Sequence, residues 1–346
     1  MGRGASSIPV VDGHNDALQR VWRSGGSLRE RSEEGQLDQP RMREGGIAAG
    51  FFAIFVPATD ERPDWPAGFR RTSNGYELPL EAPLPAERGE RIAAELAAIF
   101  ARDLTPVLTV SDLERCLAGE EVGAILHLEG AEPIAPDLGN LESWRTRGMR
   151  SLGLAWSRLN AFGCGVPFRY PGTPDTGPGL TAAGRALVRA CNELGIMIDL
   201  SHLTAAGFAD VARLSDAPLV ATHAAAHALT PIPRNLTDGQ LGAVRDSGGL
   251  VGAFFDRTMT HPRAEIEADT PLDVLLDHIE HLVERMGVEH VALGSDYDGC
   301  TPIAAVGDAS KVQTLFEGLA ARGWPDDDLR ALGHRNWLRV LRATWH

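Results

Sequence analysis

The segment TAAGRALVRACNELGIMIDLSH, residues 181–202, contains one full unit of the pattern from which the chain is built. Its first part, 181–194, reads as an amphipathic helix that starts at Thr181 and stops at Gly195. Threonine can offer a side-chain oxygen to the free N–H groups of a first turn, and glycine takes the left-handed cap without a Cβ penalty. Its second part, 196–199, is an unbroken apolar run, as a strand buried on both faces of a parallel sheet requires. The run ends abruptly in Asp199, Ser201 and His202.

Outward from this unit the pattern recurs. Strand-like runs lie at 8–12, 47–55, 122–128, 151–155, 196–199, 219–222, 249–253 and 290–294. Helical patterns separate them. Residues 90–102 place Ile92, Leu96 and Ile99 on one face, and 270–286 opens with Thr270-Pro271 and stops at Gly287. Eight alternations predict an α/β fold, a (β/α)8 TIM-like barrel formed as one domain by residues 1–346. An open doubly wound sheet would place a glycine-rich phosphate loop after its first strand, and none follows residue 12. Two segments stand outside the repeat. Residues 60–88, rich in Pro and Arg, read as an insertion after the second strand: a surface loop, a lid or an interface arm. Residues 162–179, rich in Gly and Pro, follow the fourth strand, where a barrel places a loop over its active face. Within them, Gly163-Cys164-Gly165 reads as a turn.

A net charge of −14 argues against nucleic acid and anionic membranes as partners. The longest strongly apolar run, 47–56, is too short to cross a bilayer, and no signal-peptide pattern precedes Ile8. Cys116, Cys164, Cys191 and Cys300 have no paired spacing and read as reduced packing residues of a cytoplasmic protein. Lys311 is the one lysine, so a carbamylated bridging lysine or a Schiff base could come from that position alone.

Chemistry gathers at the strand ends. The first strand ends in His14 and Asp16, two apart and therefore on one face of an extended segment. An imidazole and a carboxylate delivered together suit a divalent metal of zinc-like softness. The third strand ends at Glu129, the fifth at His202, the sixth at His223 and the eighth at Asp296. In a barrel these positions converge on the C-terminal mouth. Singly, each has an ordinary structural reading: Glu129 as a helix N-terminal carboxylate, His202 and His223 as satisfied core histidines, Asp296 as a turn cap. Their joint placement favours a metal site. His278 and His281 read as partly exposed helix residues, and His261, His290, His334 and His346 have no strand-end context.

Taken in order, the motifs Asp-Gly-His-Asn-Asp (12–16), Glu-Gly-Ala-Glu (129–132), Gly-Met-Arg-Ser-Leu (148–152), Ile-Asp-Leu-Ser-His (198–202), Thr-His (222–223), Arg-Asn-Leu-Thr-Asp (234–238) and Ser-Asp-Tyr-Asp-Gly (295–299) resemble the membrane (renal) dipeptidase family. These are zinc dipeptidases on the metal-dependent hydrolase barrel. The resemblance spans about 10–341. It implies two Zn2+ per chain, with His14 and Asp16 on one ion, His202 and His223 on the other, and Glu129 and a hydroxide bridging them. It further implies hydrolysis of a dipeptide-like amide, with Asp296 passing the water's proton to the leaving amine. Arg234 would grip the substrate carboxylate, with Trp156 and Asn160 as further substrate contacts. A structural salt bridge is the other reading of Arg234. A homodimer is also implied.

The chain departs from that family on the substrate side. Leu154-Ala155-Trp156-Ser157 puts Trp156 where related dipeptidases carry a histidine facing the developing oxyanion, and Gly252-Ala253-Phe254 replaces a common Val-Asn-Phe. Indole can donate one hydrogen bond but cannot carry a proton. His127, His227 and Arg158 are the candidate substitutes. The departure opens two alternatives: the same metals acting on a non-peptide amide, lactone, β-lactam or modified amino-acid conjugate, or a catalytically impaired metal-binding barrel.

Overall fold

The computed structural model describes residues 7–60 and 68–345. Eight parallel strands form the barrel and are numbered here in chain order: β1 Val10–Asn15, β2 Ile47–Phe55, β3 Gly123–Glu129, β4 Met149–Gly153, β5 Met197–Asp199, β6 Val220–Ala224, β7 Leu250–Ala253 and β8 Val291–Leu293. Each pairs in parallel with its neighbours in sequence order, and β8 returns to β1 with Asp12 opposite Leu293. The sheet is therefore closed. The longest pairing, β2 with β3, runs from Ala49↔Gly123 to Phe55↔Glu129. A two-residue strand, Thr105–Pro106, adds to the outer start of β3.

β3 shows why these runs lack polar alternation. Ala124, Leu126 and Leu128 pack outward with the helix layer, while Ile125 joins the barrel lumen with Val11, Phe51, Met197, Val220 and Ala292. Both faces are buried. By the same two-residue period, His127 and Glu129 follow Ile125 up the lumen toward the mouth. The other end is plugged by the helix Asn336–Thr344, whose fully buried Trp337 donates its indole N–H to Leu293 O at 3.2 Å. Gly13 lets the β1 backbone pass this plug, because a Cβ there would lie 2.5 Å from the Trp337 ring and 2.6 Å from Thr222 O.

The helix signals place the expected elements. Ala182–Leu194 starts with Thr181 accepting from Gly184 N and ends on Gly195 at φ 62°. Leu272–Met286 stops at Gly287. Ala86–Asp103 begins earlier than the periodicity suggests; Ile92 and Leu96 are buried, Ile99 packs partly buried against the same core, and Phe100 joins them. His278 corrects its reading as well: it is 1% exposed, accepting from Ala226 N with Nδ1 and meeting Thr260 O with Nε2.

The insertion at 60–88 is not a plain loop. Residues 61–67 lie outside the described residues. Beyond them, Arg70–Thr72 and Gly75–Leu78 form a hairpin that pairs with Phe168–Tyr170 of the segment after β4, making a three-stranded antiparallel sheet. The hairpin's two turn residues are Ser73 and Asn74, with Thr72 opposite Gly75. All four cysteines are free and buried. Among the described residues, no helix is long and apolar enough to cross a membrane.

Candidate metal centre

The barrel brings His14, Asp16, Glu129, His202, His223 and Asp296 together at the C-terminal ends of β1, β3, β5, β6 and β8. Glu129 is the hub: its Oε1 lies 3.1 Å from His202 Nε2, 3.6 Å from His14 Nε2 and 3.8 Å from His223 Nε2. His14 Nε2 also lies 3.7 Å from Asp16 Oδ2 and 3.8 Å from Asp296 Oδ1. One ligand atom each from Glu129, His202 and His223 falls within 4.8 Å of the others, and the same holds for His14, Asp16 and Asp296. All six residues are buried.

Backbone geometry is held off the common wells to achieve this. His202 sits at φ 69° and Asp296 at φ 59°. For residues other than glycine such conformations cost about 1–3 kcal/mol each, and they persist where surrounding structure enforces them. Asp296 N donates to His14 O at 2.9 Å, while Ser295 N and Oγ donate to Asp12 at 2.8 and 3.0 Å. The β8 end is thereby laced to β1. Burial pushes Asp12 up to about 6, against those hydrogen bonds.

The histidines are oriented from behind. Ser157 Oγ lies 3.1 Å from His202 Nδ1, and Thr222 Oγ1 lies 2.9 Å from His223 Nδ1. Arg234 Nε donates to His202 Nε2 at 3.3 Å, which requires a lone pair there and so places the His202 proton on Nδ1. Burial, then the positive field of Arg234, holds His202 well below its ordinary range, and burial does the same for His223. Both are neutral imidazoles, the form that ligates a metal. Burial works against a charge on His14, but Glu129 and Asp16 outweigh it and hold that imidazole well above its usual value. Burial likewise raises Glu129 and, aided by Asp16, lifts Asp296 far above the carboxylate range. Three carboxylates and three imidazoles in one dry cluster thus call for added positive charge. Both ring nitrogens of His14 and Asp16 Oδ1 are buried with no hydrogen-bond partner. The donor set, nitrogen and oxygen only, fits divalent metal of the zinc type.

The cluster opens into a cavity of about 140 Å³ walled by Asp16, Gln19, Phe55, Glu129, Trp156, Phe168, His202, Arg234, Phe254, Asp256, Met259, Asp296, Gly299 and Cys300. Arg234 is 2% exposed; Nη2 donates to His223 O at 2.7 Å, and Nη1 is buried without a partner. Trp156 packs between Phe55 and Phe168, at ring-centre distances of 4.8 and 5.6 Å. Asn160 does not line the cavity. Its Oδ1 accepts from Phe162 N and Gly163 N, and its Nδ2 donates to Leu154 O, so the side chain is used up in holding its own turn. The candidate substitutes for the missing histidine are elsewhere too. His127 lies one layer down the lumen against Ser151, pushed down to about 3 by burial; His227 meets Gly172 O; Arg158 is buried behind Trp156.

Periodicity could not reveal Phe168, Asp256 and Met259, which stand in the connections that follow β4 and β7. Asp256 caps the short helix Arg257–Thr260 by accepting from Thr258 N and Met259 N, and burial raises its carboxyl. Gln19 had a signal, since it follows Asp16 by three on a helix and so shares its face.

A closed parallel (β/α)8 barrel with His, Glu and Asp clustered at its C-terminal mouth defines a metallohydrolase architecture. The chain belongs to the membrane dipeptidase family (peptidase family M19), whose model matches residues 5–345. It is accordingly an enzyme of the metal-dependent dipeptidase class. It is similar to a metallo peptidase from Rhodobacter sphaeroides, solved with a phosphinate mimic of the dipeptide L-Ala-D-Ala: 42% identical, TM-score 0.91, covering 98% of this chain and 100% of that one. It is also 44% identical over 254 residues to an uncharacterized protein in the pqqA 5' region of Klebsiella pneumoniae, covering 73% of this chain and 94% of that protein. The probable dipeptidase PvdM from Pseudomonas aeruginosa shares the fold at 22% identity, with a TM-score of 0.81 over 97% of this chain and 95% of that one.

Proposed function

We propose that this chain is a binuclear zinc dipeptidase, with His14 and Asp16 holding one ion, His202 and His223 the other, and Glu129 between them. The observation that carries the reading is Glu129 Oε1, which lies within 3.8 Å of the Nε2 atoms of all three histidines. One carboxylate can thus serve two ions. Bound there, the ions would supply a hydroxide-like nucleophile at neutral pH and polarise the scissile carbonyl.

The chain's own residues do the rest. Arg234 lines the cavity and keeps Nη1 as a buried donor without a partner, which supports the grip on the substrate's terminal carboxylate. Asp296, whose carboxyl is raised by burial and by Asp16, would take the proton of the attacking water and pass it to the leaving amine. Phe55, Trp156, Phe168 and Phe254 wall the cavity and exclude bulk water. The R. sphaeroides relative was solved with a mimic of a dipeptide ending in a D-residue, which supports a small dipeptide with a C-terminal D-residue as substrate here. Four reduced, buried cysteines suit a cytoplasmic setting.

The test is metal analysis of the purified chain together with cleavage of an L-Xaa-D-Ala library. About two zinc ions per chain, turnover, and loss of turnover with zinc retained in Asp296→Asn are expected. A metal-free protein sinks the reading. Two zinc ions with no dipeptide cleaved would instead favour the non-peptide amide or lactone chemistry that Trp156, in the cavity wall, suggests.

A further inference from the structure

Gln19 lies on the helix Ala17–Ser24, is 7% exposed, and lines two cavities. One is the cavity over the metal cluster. The other, of about 320 Å³, is bounded by Gln19 together with Arg20, Arg23, Ser24, Gln36 and Asp298 among others. Arg23 Nη1 donates to Gln19 Oε1 at 2.9 Å. A guanidinium carries donors only, so this contact settles which end of the carboxamide is oxygen. Gln19 Nε2 is left buried with no hydrogen-bond partner. Buried donors are rarely left unmade, and a side-chain amide held this way in a cavity wall is built to meet an acceptor that a ligand brings.

The kind of acceptor follows from where Gln19 stands, on the reading given under Proposed function. Arg234 touches His202 and His223, so a terminal carboxylate held by it lies on their side of Glu129. Gln19 is one helical turn from Asp16, which groups with His14 and Asp296 rather than with His202 and His223. The N-terminal residue of the dipeptide therefore faces Gln19. Its ammonium group has no lone pair to offer, and its carbonyl is at the reacting centre, so the acceptor must come from its side chain.

We propose that Gln19 is a specificity-determining residue that selects dipeptides whose N-terminal side chain ends in an oxygen acceptor, a carboxamide or carboxylate. That side chain passes Gln19 toward the second cavity, which Arg20 and Arg23 line together with Glu34 and Asp298. Arg20 is itself fixed by Asp298 at 3.1 Å and Leu37 O at 2.9 Å, so it shapes the cavity, while Arg23 orients Gln19.

The experiment compares kcat/KM of the zinc-loaded enzyme on L-Gln-D-Ala and L-Glu-D-Ala with that on L-Met-D-Ala, which is similar in length and lacks the acceptor. The wild type should prefer the acceptor-bearing pair by about tenfold or more, the scale set by one hydrogen bond to an otherwise unpaired donor. Gln19→Leu, similar in size and without the donor, should bring the ratio to within about twofold of one. Arg23→Met, which releases the carboxamide to flip, should lower the ratio without touching the cluster. A wild-type ratio near one, or an unchanged ratio in Gln19→Leu, overturns the inference while leaving the dipeptidase reading intact. No cleavage of any dipeptide overturns both.

Discussion

Thr222 Oγ1 lies 2.9 Å from His223 Nδ1 and 2.7 Å from Asp199 Oδ2, joining the two residues through one hydroxyl. A hydroxyl has one proton. Burial would raise Asp199, but His127 and the hydrogen bonds from Thr222 and Ser201 leave it below its usual range, so it is an acceptor and takes the Thr222 proton. The hydroxyl must then accept from His223 Nδ1–H, which leaves the lone pair on Nε2, facing Glu129. Thr222→Val keeps the shape and the backbone N–H bond to Asp199 but removes the tautomer lock. The expected result is about 10–100-fold weaker binding of one of two zinc ions, read by competition with a chelator, with little change in the other.

Gly299 is fixed by a close approach. A Cβ at this position would lie 2.2 Å from both Asp16 Oδ2 and Asp296 Oδ1. Gly299→Ala must therefore displace the two carboxylates on which the first metal and the proton transfer are proposed to depend. A shift of about 1 Å in such groups costs about 10² in rate. The expected outcome is a loss of at least that order in kcat/KM, with a circular-dichroism spectrum like that of the wild type.

The barrel was legible because strands buried on both faces have no polar alternation to blur them, and because Gly195 and Gly287 mark helix stops by a backbone conformation that glycine favours. The convergence of His14, Asp16, Glu129, His202, His223 and Asp296 followed from position alone, since a parallel barrel gathers strand ends at one mouth. What was not legible depends on loops. Phe168 reaches the cavity through a segment whose path is set by pairing with the hairpin Arg70–Thr72 and Gly75–Leu78, about ninety residues earlier in the chain. Asn160, a substrate contact by the family resemblance, is consumed by its neighbours' backbone groups. His278 reads as partly exposed from its place on the helix, and is buried because backbone groups of Ala226 and Thr260 satisfy both ring nitrogens.

That buried histidine gives a pH prediction away from the metal cluster. Burial pushes His278 down to about 4 from an ordinary 6.5, so the folded chain keeps it neutral while the unfolded chain protonates it below 6.5. The stability it contributes is whole above the unfolded value and is lost as pH falls through 6.5 toward 4. The loss from this residue is about 2 kcal/mol at pH 5. His278→Gln offers an acceptor for Ala226 N and a donor for Thr260 O without titrating. Urea unfolding at pH 7 and pH 5 should show a smaller acid loss in the variant by about that amount. Equal losses in both proteins would place the acid sensitivity elsewhere.

Trp156 decides how the substrate side works. Its ring lies 4.8 Å from that of Phe55, 5.6 Å from Phe168 and 5.8 Å from His202, and the guanidinium of Arg158 stands 4.9 Å from its centre. Arg158 is fixed in turn by Val56 O at 2.8 Å and Glu81 at 3.1 Å. The indole is thus a clamped wall, and an imidazole in its place would sit beside a fixed cation that disfavours its protonation. Trp156→Phe retains an aromatic face for Arg158 and Phe55 while removing the indole N–H. If the ring acts through packing, KM rises several-fold, kcat stays within about threefold and the pH–rate profile keeps its shape, the pattern of binding lost equally from ground and transition states. A fall in kcat of about 10²–10³ would instead identify the N–H as an oxyanion donor. The packing outcome is expected, because three aromatic rings and a buried guanidinium leave the indole little freedom to follow a moving charge.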